Sequence, residues 1–127
     1  MTSPAIKVID LVVEYTSSQG TIRAVHGLDL SIAEGEVYAL LGENGAGKTS
    51  TVEVLEGHRS RVAGQVEILG IDPTAGGSRR RELRDQIGIV LQTSGIEPEI
   101  TPREALTLFG AVYRNPYSLS DVVERVG

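Results

Sequence analysis

The stretch that decides the fold is GENGAGKTS at residues 42–50, which directly follows the apolar run VYALL at residues 37–41. Residues 42–49 fit the pattern G-x-x-x-x-G-K-[ST] in full. Its glycines let successive backbone N–H groups point into one concavity, and the helix that follows adds further unpaired N–H groups. An apolar strand before the loop and a helix after it are the context that this pattern requires. The sequence therefore predicts a phosphate-binding loop, or P-loop.

Within this loop, two side chains have specific predicted roles. Lys48 is expected to reach the β- and γ-phosphates of a nucleotide and is the predicted catalytic residue. The hydroxyl of Thr49 is expected to ligate Mg²⁺. The predicted nucleotide-binding residues of the loop are Gly42, Glu43, Asn44, Gly45, Ala46, Gly47, Lys48, Thr49 and Ser50.

The composition is that of an ordinary soluble domain. The chain has 127 residues, of which 40% are apolar and 23% charged. A net charge of -5 and an aromatic content of 4% argue against a nucleic-acid partner, because such a partner needs basic surface or stacking rings. Cysteine is absent from the sequence, so there are no disulfides or thiolate metal sites. No secretion signal is expected, and no apolar run approaches the ~20 residues that cross a bilayer.

The order of apolar and polar residues predicts an α/β fold, with antiparallel strands preceding a strand–loop–helix unit. Strands are predicted at residues 5–15, 21–25, 37–41, 65–69 and 87–91, and within residues 27–36 before a Glu-Gly turn. Helices are predicted at residues 48–56, in the middle of residues 76–86 and at residues 119–126. A further helix should begin at Thr101-Pro102-Arg103-Glu104, which combines an N-cap, a first-turn proline and the glutamate of a capping box.

Other classes of P-loop protein fit the sequence less well. The Asn-Lys-x-Asp tetrad that reads guanine in small GTPases does not occur, and DPTAG at residues 72–76 is one residue too long for their D-x-x-G switch. A small-molecule kinase needs an arginine-rich lid, and RRRELR at residues 79–84 is the sole candidate. That run is more typical of a solvated helix face.

The chain resembles the ATP-binding subunit of an ATP-binding cassette (ABC) transporter. The resemblance rests on segments in register along essentially the whole chain: GLDLSIAEGEVYAL at 27–40, LLGENGAGKTST at 40–51 and IGIVLQTS at 87–94. Residues 51–73 and 100–113 further resemble bacterial drug- or antibiotic-export members. The resemblance implies a P-loop NTPase (RecA-like) core with an N-terminal antiparallel β subdomain. Residues 1–127 are then the N-terminal part of one ATP-binding domain: 1–36 mainly antiparallel β, 37–92 P-loop core with β additions, and 93–127 the start of the helical subdomain.

The resemblance also implies two binding residues outside the P-loop. Tyr15, at the end of the first strand, corresponds to the family's aromatic residue that stacks on adenine. Gln92 corresponds to the glutamine that touches Mg²⁺ and the attacking water. The loop from Gln92 to Ile100 then faces the membrane-spanning subunit. For each there is a plainer alternative: Tyr15 as a ring packed on the sheet, and Gln92 as a polar residue that closes a strand.

Three features of the family are missing from this sequence. The Leu-Ser-Gly-Gly-Gln signature does not occur, and SLSDVV at residues 118–123 lacks its paired glycines. The Walker B strand with its Asp-Glu is absent, so no carboxylate is assigned as general base. His26 and His58 lie too early to be the family's switch histidine and are interpreted as structural or surface residues. We therefore expect the N-terminal half of the domain, truncated within the helical subdomain, that binds ATP and Mg²⁺ without hydrolysing ATP alone.

These expectations extend to partners and location. The full-length protein would form a head-to-tail dimer with a second ATP-binding subunit and would export a substrate that this sequence does not identify. The chain would be cytoplasmic, held at the inner face of the cell membrane by its partner. Loss of the Walker B strand would leave residues 37–41 with an uncovered apolar edge, so self-association is expected. Two alternatives stay open: a short nucleotide-binding regulatory module, and a non-transport member of the ABC superfamily.

Overall fold

A computed structural model describes residues 3–93, 95–96 and 98–127. The chain divides into two compact units, which meet in sequence between Leu83 and Arg84. The first unit holds a three-stranded antiparallel sheet in the order β2-β1-β3. Its strands are β1 (Ile6–Ser17), β2 (Gly20–Ile32) and β3 (Ala63–Ile68). The central strand β1 therefore joins a hairpin to a strand that follows the P-loop.

The core of the first unit is built from β-branched and leucine side chains on one face of this sheet. Helix α1 (Lys48–Leu55) contributes Val54, which is fully buried against them. Burying a valine or leucine stabilises the fold by about 1.5–3 kcal/mol. The P-loop precedes α1 directly, so this packing fixes the loop relative to the sheet. The buried core residues are Val8, Leu11, Val13, Val25, Leu30, Val54 and Val66.

A β-bulge in β1 explains how Val8 and Leu11 can both face this core. Residues three apart in a regular strand point to opposite faces, but the register of β1 against β2 shifts between Val8 and Leu11. Asp10 lies in the bulge at φ 50°, and its N–H donates to the Asp29 carboxylate over 2.8 Å. Gly64 of β3 faces the bulge, where a Cβ would come within 2.4 Å of the Asp10 carbonyl oxygen. The sequence pattern did not predict this bulge.

Helix α2 (Gly77–Arg84) runs up to the boundary between the units. The second unit contains α3 (Pro102–Gly110) and α4 (Leu119–Val126). Within it, the N–H of Arg114 donates to the Asp85 carboxylate over 2.6 Å, and the Tyr113 hydroxyl donates to the Ile87 carbonyl over 3.3 Å. Over the residues that the structure describes, no helix has both the length and the apolar character needed to span a bilayer.

Most predicted elements are confirmed within a few residues. The first strand, the strand near residue 65 and the helices at 48, 101 and 119 all form. The helix predicted within residues 76–86 is α2. The separate strands predicted at residues 21–25 and 27–36 are one continuous strand, β2, which runs through Gly27.

The strands predicted at residues 37–41 and 87–91 were wrong. Neither segment is a strand in the structure, and Val37 and Val90 are 98% and 99% exposed. A strand requires a neighbour that pairs with its backbone groups, and no strand among the described residues pairs with either segment. Continuous apolar runs such as these are typical of strands that are buried on both faces of a sheet. The run alone does not show whether a neighbouring strand is present to pair with it.

Candidate functional site

The P-loop meets strand β2 at Gly47, the N-cap of α1. Its φ is +89°, in the left-handed region that favours glycine. A Cβ at this position would lie 2.4 Å from the Ala24 carbonyl oxygen of β2, closer than real Cβ atoms approach. A turn within the loop is closed by the N–H of Ala46, which donates to the Glu43 carbonyl over 3.1 Å. The glycine pattern thus places the loop backbone directly against the sheet.

Lys48 directs its ammonium group back over the loop. Its Nζ donates to the carbonyl oxygens of Gly42 and Glu43, at 2.5 and 2.6 Å. The positive charge therefore lies at the loop concavity, beside the N-terminus of α1, whose dipole and free N–H groups also favour an anion. A phosphate oxygen would offer the ammonium a stronger, charge-assisted acceptor than a peptide carbonyl.

Three hydroxyl residues in the first turn of α1 have different environments. Thr49 is exposed, whereas Ser50 and Thr51 are buried. The hydroxyls of Ser50 and Tyr15 form a hydrogen bond of 2.7 Å. The Thr51 hydroxyl donates to the Gly47 carbonyl over 2.9 Å. Thr49 is thus the one of these three residues that is exposed to solvent.

A cleft of about 380 Å³ brings Tyr15 and the P-loop together. On the P-loop side it is lined by Asn44, Gly45, Gly47, Lys48, Thr49 and Ser50. Gly42, Glu43 and Ala46 are not among the described residues that line it. The first two reach the site through their carbonyl contacts with Lys48. Ala46 lines a second cleft that shares Gly47 and Lys48.

Two arginines that no sequence pattern predicted lie in or beside this cleft. Arg23 lines the cleft and forms a cross-strand ion pair of 2.8 Å with Glu14. The guanidinium carbon of Arg59 lies 4.3 Å from the centroid of the Tyr15 ring. No spacing rule in the sequence links Arg59 to Tyr15, because their proximity depends on how the chain folds back after α1. The β1–β2 hairpin register that pairs Glu14 with Arg23 was equally unknown before the structure.

Gln92 lies in the second unit, exposed, at a bend that follows residues 87–91. Ser94 and Glu97 of the predicted partner-facing loop lie outside the described residues. Within that loop, Ile96 is 47% exposed. The roles assigned to Gln92 and to this loop remain predictions.

The described residues contain no group of three or more histidine, aspartate or glutamate side chains that could hold a metal ion. Thr49 remains the predicted metal ligand of the first unit, and Gln92 that of the second.

Comparison with known proteins identifies the family. Residues 25–127 match the sequence profile of the family described as ABC transporter. The chain belongs to the ABC transporter family. This confirms the family that the P-loop and its flanking segments indicated.

Among individual ABC transporter relatives, the Nod factor export ATP-binding protein I of Burkholderia lata is 40% identical over 89 residues, covering 70% of this chain. The bacitracin transport ATP-binding protein BcrA of Bacillus licheniformis is 31% identical, covering 98% of this chain. The chain spans 28% and 39% of the lengths of these two ABC transporter proteins.

The fold is shared with a solved ABC transporter cassette. The dimeric post-hydrolysis structure of the ATP-binding cassette MJ0796, bound to ADP and Pi, matches this chain with a TM-score of 0.76 and 25% identity. The match covers 91% of this chain and 51% of that one. The predicted fold class, a P-loop NTPase with an antiparallel β subdomain, is therefore confirmed.

Proposed function

We propose that this chain is the ATP-binding part of an ABC-type export protein. The observation that carries the proposal is the cleft in which Tyr15 faces the P-loop and Lys48. An aromatic ring and a phosphate cradle are the two elements needed to hold the base and the phosphates of one nucleotide. Family membership supports ATP as that nucleotide, and so do the names of the relatives, which are ATP-binding proteins of export and transport systems.

In this proposal each part of the nucleotide has its own partners. The ring of Tyr15 stacks on adenine, with an interaction that favours a flat base without reading its edge. The P-loop N–H groups and Lys48 hold the phosphates, and the Thr49 hydroxyl ligates Mg²⁺. The residues fit such a group, because the Lys48 ammonium already lies over the loop, at the carbonyl oxygens of Gly42 and Glu43.

The proposal extends to the organisation of the whole protein. Residues 1–36 are mainly antiparallel β, residues 37–92 are the P-loop core with β additions, and residues 93–127 are the start of the helical subdomain. A membrane-spanning subunit contacts the chain near residues 92–100 and holds it at the cytoplasmic face of the membrane. A second ATP-binding subunit completes the site head to tail, and ATP hydrolysis by that assembly drives export.

The decisive experiment is isothermal titration calorimetry of the chain with Mg-ATP. Wild-type protein is expected to bind with one site, and Lys48→Ala to weaken binding by at least about tenfold, because it removes the cation over the cradle. Lys7→Ala is the matched control, since it removes the other lysine of the chain, exposed on β1. Absence of binding by the wild type, or equal effects of the two substitutions, would contradict the proposal.

We further propose that residues 1–127 bind ATP without turning it over. The sequence contains no Walker B carboxylate and no signature motif, so no residue of this chain is assigned to activate water. Steady-state phosphate release by the isolated chain is expected to stay at the level of the Lys48→Ala variant. Multiple turnovers above that level would show that another group acts as the base.

A further inference from the structure

We propose that Arg59 is a positioning residue for the nucleotide, acting through the ring of Tyr15. This inference rests on the proposed binding of ATP with adenine on Tyr15. It adds a residue that neither the P-loop pattern nor the family resemblance selects. Through the ring, Arg59 would influence the base of the nucleotide and not its phosphates.

Tyr15 is held at two points. Its hydroxyl forms a 2.7 Å hydrogen bond with the buried Ser50 hydroxyl in the first turn of α1. One face of its ring is covered by the Arg59 guanidinium, with 4.3 Å between the guanidinium carbon and the ring centroid. The first contact fixes the end of the ring, and the second fixes its plane. An exposed strand-end tyrosine without them would rotate about both side-chain torsions.

Arg59 is itself held in place by Glu53 of α1. Its Nε donates to the Glu53 carboxylate over 2.5 Å, and its backbone N–H donates to the Glu53 carbonyl over 3.1 Å. The hydrogen bond with Glu53 also raises the pKa of Arg59, so the guanidinium stays charged. The helix that begins with Lys48 therefore positions both the phosphate-binding end of the site and the support for its base-binding end.

The guanidinium lies outside the cleft. Tyr15 lines the cleft, whereas Arg59 is not one of the described residues that do so. Because Arg59 occupies one face of the ring, the part of the ring that Arg59 does not cover is what lines the cleft. A base stacked there would have the ring between itself and the cation. A cation over a tyrosine face contributes about 0.5–1 kcal/mol at exposed sites and more when desolvated.

This geometry predicts an effect on the base but not on the phosphates. Arg59→Met keeps the length of the side chain and removes the cation. It is expected to weaken Mg-ATP binding by about threefold to tenfold and to leave the affinity for inorganic tripolyphosphate within about twofold. Arg59→Lys keeps the charge but loses the planar stacking group, so about half of the loss in free energy is expected.

The experiment is titration calorimetry of the full chain with Mg-ATP and with Mg-tripolyphosphate. Arg81→Met is the matched control, since it removes one arginine from α2, away from the cleft. Tyr15→Ala is combined with Arg59→Met, because a residue that acts through the ring should have no further effect once the ring is gone. Far-UV circular dichroism confirms that each variant is folded, and Arg59→Lys decides the test if Arg59→Met unfolds.

The outcomes separate this inference from the proposed function. If wild-type protein fails to bind ATP, or Lys48→Ala binds as wild type does, the proposed function is wrong and this inference falls with it. If ATP binds through Lys48 but Arg59→Met behaves like Arg81→Met, only the role of Arg59 is wrong. An equal loss for ATP and tripolyphosphate would make Arg59 a phosphate contact or a general support of the loop, and would also overturn the inference.

Discussion

At the scale of single residues, Gly47 shows how the P-loop depends on the strand beneath it. The residue combines a φ of +89° with the close approach of the Ala24 carbonyl oxygen. Gly45 has a similar φ, +86°, but a Cβ there would meet nothing within 4 Å. Substitution of Gly45 by alanine therefore tests the left-handed backbone alone, whereas substitution of Gly47 tests the left-handed backbone and a steric clash together.

Gly47→Ala is expected to lower the free energy of unfolding by more than about 2 kcal/mol, because the methyl group must displace β2 or the loop. Gly45→Ala should lower the free energy of unfolding by only about 1–2 kcal/mol, because an L-residue is strained by about this much in the left-handed conformation. Urea unfolding followed by circular dichroism measures both. Equal losses would show that the loop moves away from Ala24 at little cost.

Arg61, just before β3, and Asp72, a few residues after it, form an ion pair. The Arg61 guanidinium donates to both Asp72 carboxylate oxygens, at 3.1 and 2.5 Å, and its Nε donates to the Gly64 carbonyl over 2.9 Å. The hydrogen bond from Arg61, helped by Thr74, lowers the pKa of Asp72 to about 2. This pair ties the chain on either side of β3 together.

The stability contributed by this pair should therefore depend on pH. A carboxyl group whose pKa is lowered by folding stabilises the folded state above its unfolded pKa of about 4, and this stability is lost as the pH falls toward 2. Asp72→Asn is expected to reduce the free energy of unfolding by about 1 kcal/mol at pH 7, because solvent screens a partly exposed pair. The difference from wild type should shrink between pH 4 and about 2.

Urea unfolding at several pH values provides this measurement. Glu67→Gln serves as the control, since it removes an exposed carboxylate from β3 and should change the free energy of unfolding by less than about 0.5 kcal/mol at pH 7. A constant difference between wild type and Asp72→Asn at all pH values would mean that the pair is not what the substitution disturbs.

At the scale of elements, local signals were the most reliable. The α3 start was predicted from Thr101 and Glu104, and both hydrogen bonds of the capping box form. The β1 bulge could not be predicted, because it depends on the approach of Gly64 and on the Asp29 carboxylate, both distant in sequence. The strand at residues 37–41 failed for a related reason: its apolar pattern is local, but a strand needs a neighbour.

The capping box offers a test of the α3 boundary. Thr101→Ala removes the side chain that accepts from the Glu104 N–H, and should destabilise the helix by about 1 kcal/mol. Amide hydrogen exchange in the first turn of α3 should then speed up by roughly fivefold. Thr107→Ala, in the same helix but away from its start, is the control. Unchanged exchange in Thr101→Ala would show that the cap does not limit local opening.

At the scale of the whole molecule, the candidate site was predictable only in part. The resemblance placed Tyr15 and the P-loop in one site, and the structure brings them to one cleft. Gln92 lies in the second compact unit, and its predicted role in the same site stays a prediction. Arg59 and Arg23 could not be foreseen, because the contacts that bring them to the site follow from strand pairing and from the turn after α1 rather than from any local pattern.

The segment at residues 37–41 leaves large apolar side chains exposed to solvent. Val37 and Leu41 are 98% and 87% exposed, and no described strand pairs with the backbone between them. Such a segment can add to the edge of another chain. The isolated chain is therefore expected to self-associate, so that its average mass in sedimentation equilibrium rises with concentration.

Replacing Val37 and Leu41 together with lysine should shift this equilibrium toward the monomer, because two buried ammonium groups would oppose pairing. Val126→Lys is the control, since Val126 is 78% exposed but lies at the end of α4 in the other unit. If residues 37–41 form the contact between copies of the chain, the double substitution lowers the average mass in sedimentation equilibrium and Val126→Lys does not. A monomeric wild type at high concentration would contradict the prediction, and an equal effect of Val126→Lys would place the contact elsewhere.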